Sequence, residues 1–182
     1  MAKPLPIRIA GTGSATPERV MTNDDFAKFL DTSDQWIQER TGIKERRVAG
    51  PDDGTASLGA LAARRAIDDA GLTPADIDII ICATITGELP FPATACVIQE
   101  MLGLKNIPAF DISAACSGFI YGLSIAAGMI TAGLYHRILL IGSETMTRIA
   151  DFEDRATCVL FGDGAGAAVI EASSGEPDGP AL

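Results

Sequence analysis

The feature that most constrains the fold of this chain is a long segment without a charged residue, residues 112–135. Its length would allow a helix to cross a lipid bilayer. However, the segment is rich in Gly, Ala and Ser, and its flanks offer only Asp111 and Arg137 as weak anchors. The composition therefore favours a helix that is buried on nearly all sides in a soluble protein, and such a helix needs cover on more than one face.

Cys116 lies near the start of this segment, where a strand is predicted to turn sharply into a helix. Residues 108–113 have the pattern of a short buried strand, and residues 117–133 have that of a helix. Small residues at Ala114 and Gly118 suit a sharp turn, as in a nucleophile elbow with cysteine in place of serine. A helix N-terminus stabilises a thiolate through its dipole. Many free cysteines are simply small buried hydrophobic residues, but this local pattern favours a nucleophile.

The order of the predicted elements indicates an α/β fold with a mainly parallel sheet. Apolar strands alternate with amphipathic helices. The first strand ends in a Gly-rich stretch at residues 11–16, which lacks the third glycine of a dinucleotide-binding fingerprint. This stretch is predicted to be a tight turn. The predicted strands are residues 7–13, 76–84, 108–113, 137–143 and 162–170, and the main predicted helices are residues 56–70, 94–102 and 117–133.

Charge and cysteine usage exclude several classes of function. The 182 residues carry a formal net charge of -10, which argues against nucleic acid or an anionic membrane as a partner. The first four residues lack the apolar segment of a signal peptide. The cysteines show neither a metal-site spacing nor a disulfide framework, so no metal is predicted and a reducing, cytoplasmic setting is the simplest fit; they are Cys82, Cys96, Cys116 and Cys158.

A local group of basic residues stands out in so acidic a chain. Arg40, Lys44, Arg46 and Arg47 follow Trp36, which is the only tryptophan. They form either a solvated strand edge or an anion site, in which an indole and guanidinium groups would suit a base and its phosphates. The spacing alone leaves both interpretations open.

Five motifs together resemble the N-terminal half of β-ketoacyl-acyl-carrier-protein synthase III, a thiolase-fold condensing enzyme. The matches extend from Ile7 to about Ala172. The resemblance implies one half of an α-β-α-β-α sandwich with a mainly parallel five-stranded sheet, in which the long helix lies between two sheets. It also implies a domain over residues 1–172 and a linker or frayed end over residues 173–182. The motifs are residues 11–14 (GTGS), 32–43 (TSDQWIQERTGI), 91–96 (FPATAC), 108–119 (PAFDISAACSGF) and 161–169 (FGDGAGAAV).

The resemblance implies a role for each matching site residue. Cys116 corresponds to the nucleophile that takes an acyl group from acyl-coenzyme A. Trp36 and Arg155 correspond to the pair that sandwiches the adenine, and Thr32 and Arg40 to neighbours in the coenzyme site. A further match, Phe91, corresponds to a residue that borders the acyl pocket of the partner subunit. The anion-site interpretation of the basic residues is thereby favoured.

The family also needs groups that this sequence does not contain. A His and an Asn activate the malonyl thioester, and a Gly N–H contributes to the oxyanion hole. In the family they belong to a second, duplicated half, together with most of the basic surface that meets the carrier protein. The only histidine here, His136, is predicted to be a surface residue in a turn. We therefore expect this chain alone to carry out at most the acylation of Cys116.

Three functions follow from these observations. The first is an acyltransferase that starts fatty acid synthesis by condensing acyl-coenzyme A with malonyl-acyl-carrier protein, as a homo-oligomer without a cofactor. The second is a non-catalytic truncated or split half that must associate with a partner or with itself, because its apolar helix would otherwise be exposed. The third, a cysteine hydrolase, is the weakest, since no His follows Asp163 to complete a triad.

Overall fold

The computed structural model describes residues 7–173 as an α/β fold with a five-stranded and a two-stranded sheet. Four single 3-10 turns, at Pro74–Asp76, Ala115–Ser117, Met146–Arg148 and Cys158–Leu160, lie between the regular elements. The predicted linker lies outside the described residues from residue 174 onward. The helices and strands are β1 Ile7–Ala15, β2 Val20–Thr22, α1 Asn23–Phe26, α2 Asp34–Thr41, β3 Glu45–Arg47, α3 Thr55–Asp69, β4 Ile79–Ala83, α4 Thr94–Met101, β5 Ala109–Ile112, α5 Gly118–Thr131, β6 Arg137–Thr145 and β7 Asp163–Ala172.

Four of the five strands in the main sheet run in the same direction. The strand order is β1-β7-β6-β4-β5, in which β4 pairs in parallel with β5 and β6, while β7 is antiparallel to both of its neighbours. The sheet is therefore mixed by pairing but mainly parallel by strand direction, as the sequence predicted. Strand β4, which has a neighbour on each side, is buried along its whole length, which explains why it has no polar alternation.

Helices cover both faces of this sheet, and alternate residues of β4 separate the two cores. Ile80 and Cys82 pack in the core under α3 and α4, whereas Ile79 and Ile81 pack under α5. This alternation follows from the two-residue period of a strand. A third, smaller apolar cluster joins α1 and α2 to the 3-10 turn before β7.

The predicted tight turn after the first strand is wrong, because β1 continues through the glycines to Ala15. Gly11 and Gly13 instead allow α3 to lie directly on the strand. A Cβ atom at Gly13 would lie 2.5 Å from the backbone nitrogen of Ala66 in α3, closer than any real contact. A turn and a close helix contact both require glycine, and the sequence pattern does not distinguish them.

Helix α5 is buried on only one face, which corrects the prediction of burial on nearly all sides. Its glycines Gly118 and Gly122 face the sheet, and a Cβ at Gly118 would lie 2.9 Å from the Cβ of Ala83. On the opposite face, Ile120 is 61% exposed and Tyr121 is 54% exposed. The five-stranded sheet covers one side of the helix. Among the helices of residues 7–173, none is long and apolar enough to span a membrane.

Candidate active site

The strand-turn-helix that presents Cys116 forms as the sequence predicts. Strand β5 ends at Ile112, helix α5 begins at Gly118, and Cys116 is the middle residue of the 3-10 turn between them. The preceding residue, Ala115, has a positive φ of 45°, which costs a non-glycine residue about 1–3 kcal/mol. The strained backbone therefore lies directly before the thiol. Sequence reasoning missed this feature because alanine rarely adopts such a conformation.

The Cys116 turn lies at the carboxyl edge of the parallel strands, where α/β folds usually place their sites. The backbone N–H of Thr84, just after β4, donates to the carbonyl of Ile112 at the end of β5 (3.1 Å). From β6, the carboxylate of Glu144 accepts hydrogen bonds from the Ile85 N–H (2.9 Å) and from the hydroxyl of Thr84 (3.2 Å). Glu144 thus ties the ends of β4 and β6 together beside the turn. Nothing in its sequence context distinguishes it from a surface glutamate.

Cys116 is the most accessible thiol among the four cysteines. It is exposed, whereas Cys82 and Cys158 are buried and Cys96 is half-buried, donating its S–H to the carbonyl of Ala109 (3.6 Å). Burial raises the pKa of the Cys82 thiol and that of the Cys158 thiol. These two groups are therefore protonated at neutral pH and shielded from reagents.

We expect a limiting amount of iodoacetamide to alkylate Cys116 first in the folded chain, because only its thiol is both exposed and placed at a helix N-terminus. Peptide mapping by mass spectrometry after brief labelling measures the modified fraction at each cysteine. As a control, labelling in denaturant should remove the preference. Faster labelling of Cys96 or Cys158 in the folded chain would contradict this arrangement.

A second cluster of predicted site residues forms around Trp36. Helix α2 begins at Asp34, with the hydroxyl of Ser33 accepting from the Trp36 N–H (3.1 Å). Arg40, one turn further on, lies on the same face of the helix, and its guanidinium carbon is 4.3 Å from the centroid of the indole. Arg155, from the loop between β6 and β7, places its guanidinium carbon 5.0 Å from the same indole. The fold thus joins residues far apart in the chain.

The segment just before α2 holds Arg155 in this position. Nη1 of Arg155 donates to the backbone carbonyl of Asp31 (2.6 Å) and lies 3.6 Å from its carboxylate. The next residue, Thr32, has a buried hydroxyl oxygen without a hydrogen-bond partner among the described residues. Buried hydroxyl groups are usually paired, so this unpaired oxygen is an exception. Trp36, Arg40 and Arg155 therefore lie in one region, next to the segment that contains Thr32.

Trp36 and Arg155 lie too close together to enclose a flat ring such as a base. Two planes that enclose a flat ring are separated by roughly 7 Å, twice the ~3.5 Å carbon contact distance. The guanidinium carbon lies only 5.0 Å from the indole centroid. Arg155 must therefore move outward by about 2 Å before an adenine ring can enter.

The other basic residues near Trp36 do not converge on it, which corrects the anion-site hypothesis for three of the four. Lys44 is exposed, and Arg46 is only 4% exposed, with its guanidinium buried. Arg47 donates to the carbonyl of Pro17 (3.3 Å). Only Arg40 joins the cluster, because residues 45–47 form a strand on which neighbouring side chains point to opposite faces.

Three remaining candidates lie apart from both clusters. Phe91 is 87% exposed in the loop between β4 and α4, and its ring makes no ring contact within residues 7–173. His136 is exposed in the turn before β6, as predicted. The buried carboxylate of Asp163 accepts hydrogen bonds from the N–H groups of Ala49 (2.6 Å) and Thr147 (2.9 Å). Because both carboxylate oxygens of Asp163 already accept hydrogen bonds from the backbone, this residue does not support a hydrolase triad.

Comparisons with known proteins agree with this geometry. A family model described as 3-oxoacyl-acyl-carrier-protein (ACP) synthase III matches residues 110–181. The β-ketoacyl-acyl-carrier-protein synthase III of Caldanaerobacter subterraneus subsp. tengcongensis is 54% identical over 170 residues, which cover 93% of this chain and 51% of that protein. The crystal structure of the 3-oxoacyl-acyl-carrier-protein synthase III from Aquifex aeolicus is similar with a TM-score of 0.90 and 50% identity, covering 92% of this chain and 54% of that one.

The crystal structure of an enzyme of polyketide biosynthesis is also similar. The priming β-ketosynthase of the R1128 polyketide biosynthetic pathway has a TM-score of 0.89 and 40% identity, with 95% of this chain and 52% of that chain covered. The chain thus spans about half the length of the relatives it matches. The resemblance to the N-terminal half of a β-ketoacyl-acyl-carrier-protein synthase III, and the thiolase-like fold class, are confirmed.

Proposed function

We propose that this chain, similar in sequence and fold to the N-terminal half of β-ketoacyl-acyl-carrier-protein synthase III, supplies the acyl-accepting cysteine of such a condensing enzyme. The observation that carries the proposal is Cys116, an exposed thiol in the strained turn between β5 and α5. The cluster of Trp36, Arg40 and Arg155 supports it independently, because it offers groups suited to a nucleotide.

The proposed chemical step is thioester exchange. The Cys116 sulfur attacks the carbonyl carbon of an acyl-coenzyme A, a new C–S bond forms, and the C–S bond to coenzyme A breaks. The proton released by Cys116 ends on the thiol of coenzyme A. No atom changes its oxidation state, so acyl-coenzyme A is a substrate and the step requires no cofactor. The turn places the Cys116 residue at the N-terminal end of α5.

We further propose that Thr32, Trp36, Arg40 and Arg155 bind the nucleotide part of coenzyme A. The indole offers a stacking surface for adenine, and guanidinium groups pair with phosphates in a charge-assisted geometry. Thr32 is assigned to this site by the resemblance and by its position next to Asp31, whose carbonyl accepts a hydrogen bond from Arg155. By resemblance alone, Phe91 is proposed to border the acyl pocket of a partner subunit.

The complete proposed reaction is the condensation of the acyl group on Cys116 with malonyl-acyl-carrier protein, which starts fatty acid synthesis. In the family this step uses a His and an Asn of the second half. The described residues contain no equivalent group beside Cys116, because His136 lies in the turn at the far end of α5. We propose that this chain contributes acylation and that the condensation step needs the second half.

The exposed face of α5 supports association as part of the function. Ile120, Tyr121 and Ile125 place apolar surface on the side of the helix away from the sheet, and large apolar patches usually mark interaction sites. We propose that this face is covered in the working enzyme, which acts as a homo-oligomer in the cytoplasm. The four free cysteines are consistent with a reducing compartment. A half that only associates, without accepting an acyl group, is the alternative function.

Incubation with acetyl-coenzyme A distinguishes these functions. We expect the mass of the folded 182-residue chain to increase by one acetyl group, located on the peptide that contains Cys116. Hydroxylamine should remove the group, because thioesters are labile to it. A folded chain that stays unmodified at saturating acetyl-coenzyme A would contradict the acyltransferase function and favour the associating alternative.

A further inference from the structure

Arg46 is a buried cation without a carboxylate partner. It lies in β3, is 4% exposed, and forms no ion pair with any acid of residues 7–173. The guanidinium stays protonated at neutral pH, although burial lowers its pKa. Burying a charge is costly unless hydrogen bonds compensate it. The contacts of Arg46 therefore show which parts of the fold it holds.

One side of the guanidinium binds the segment that carries Arg155. Nε donates to the backbone carbonyl of Val159 (2.9 Å), and Nη2 donates to the same oxygen. Val159 belongs to a 3-10 turn whose first residue, Cys158, donates its N–H to the carbonyl of Asp154 (3.0 Å). Fixing Val159 thus fixes the loop just before it, from which Arg155 reaches Trp36.

The other side of the guanidinium binds the helix that carries Trp36 and Arg40. Nη1 of Arg46 donates to the side-chain oxygen of Asn23. The amide nitrogen of Asn23 donates in turn to the carboxylate of Asp34, the first residue of α2 (2.8 Å). Hydrogen bonding from Asn23 lowers the pKa of Asp34, so this carboxylate is ionised and accepts strongly. The Arg46–Asn23–Asp34 relay therefore fixes the start of α2.

The packing around Arg46 makes this arrangement rigid. The guanidinium carbon lies 4.9 Å from the ring centroid of Phe26, which is itself buried. Phe26 packs in the same cluster as Ile37 of α2 and Val159. A planar guanidinium can donate in several directions while stacking on an aromatic ring, whereas an ammonium group cannot. The position therefore requires arginine and not merely a positive charge.

We propose that Arg46 is a positioning residue that sets the separation between the two walls of the nucleotide site, α2 with Trp36 and the loop with Arg155. This inference rests on the proposed function, because it assigns the cluster around Trp36 to coenzyme A. Arg46 does not touch the ligand. It acts by holding both walls through hydrogen bonds to Asn23 and Val159.

The test compares Arg46→Lys with the matched control Arg47→Lys. Arg47 is adjacent in β3, but it is half-exposed, and its guanidinium donates to the carbonyl of Pro17 and lies 4.0 Å from the carboxylate of Glu45. Acylation of Cys116 is measured with two donors, acetyl-coenzyme A and acetyl-pantetheine, which lacks the nucleotide. Because Trp36 is the only tryptophan, acrylamide quenching of its fluorescence reports on the site in the absence of any ligand.

We expect Arg46→Lys to weaken acylation by acetyl-coenzyme A roughly tenfold, the loss of one desolvated stacking contact, through a higher KM. Acylation by acetyl-pantetheine should be unchanged, and quenching of Trp36 should increase. Arg47→Lys should resemble the unmodified chain in all three measurements. An equal loss with both donors, or no change with either, would overturn the inference, since a general structural role does not distinguish the donors.

A second variant covers the case in which Arg46→Lys fails to fold. Asp34→Ala removes the hydrogen bond between Asn23 and Asp34 without changing the buried guanidinium of Arg46. Compared with Arg46→Lys, it should weaken acylation by acetyl-coenzyme A and increase quenching of Trp36 by a smaller factor. If the unmodified chain accepts an acetyl group from neither donor, the proposed function fails. Acrylamide quenching of Trp36 fluorescence then still tests whether Arg46 positions α2. Equal quenching in Arg46→Lys, Asp34→Ala and the Arg47→Lys control would overturn the inference.

Discussion

Replacing Cys116 with serine is expected to reduce acetyl transfer from acetyl-coenzyme A by at least about a thousandfold. The serine hydroxyl remains protonated at neutral pH and is a weak nucleophile in that form. A thiol is the better nucleophile of the two, because sulfur is more polarisable than oxygen and a thiol loses its proton more readily than a hydroxyl group. Because Cys116 is exposed, the substitution should leave the stability of the fold unchanged. Intact-mass measurements of the acetylated fraction against time give the two rates.

The matched control for this substitution is Cys96→Ser. Cys96 lies in α4, and its S–H donates to the carbonyl of Ala109, so a hydroxyl can donate to the same oxygen. This variant should acetylate at the rate of the unmodified chain. Persistent acetylation of Cys116→Ser, or its loss in Cys96→Ser, would show that the acyl group resides on a different side chain.

Replacing Gly13 with alanine is expected to lower the free energy of unfolding by about 3 kcal/mol, the upper range for overpacking. The added methyl group would meet the backbone of α3 at Ala62 and Ala66, and backbone atoms of a helix cannot turn aside as a flexible side chain can. The helix and strand would have to separate, which would open the core between them. Urea denaturation followed by circular dichroism measures the change.

Gly166→Ala is a close control, because Gly166 lies in β7 and pairs with Ser14, the neighbour of Gly13. No atom lies within 4 Å of a Cβ built at Gly166. The same substitution there should raise the free energy of unfolding by about 0.5–1 kcal/mol, because it removes backbone entropy from the unfolded chain. Equal effects at both glycines would contradict the close contact between β1 and α3.

Local patterns predicted most of the elements. The predicted strand over residues 76–84 contains the buried strand β4, and the predicted helix over residues 56–70 contains α3, which is followed by Gly71 with a positive φ of 68°. These signals are local because strand burial and helix termination depend on neighbouring residues. The Gly11 and Gly13 stretch was misread, since the reason for its glycines lies in a helix that follows more than forty residues later.

The two clusters of the site differ in how far they were predictable. The turn at Cys116 and the pairing of Trp36 with Arg40 involve residues within a few positions of one another. Arg155 was assigned to the candidate site only by the resemblance, because its loop lies beside Trp36 only in the folded chain. The inward direction of Arg46 and the role of Glu144 had no local signal at all.

The order of residues along this chain thus decided its α/β class, its central strands and the turn that carries the thiol, because each depends on short-range periodicity and backbone sterics. Packing in three dimensions decided which arginine meets the indole, which one is buried, and which face of α5 remains exposed. These outcomes depend on contacts between segments distant in sequence. Their energies exist only once the sheet and its helices have assembled.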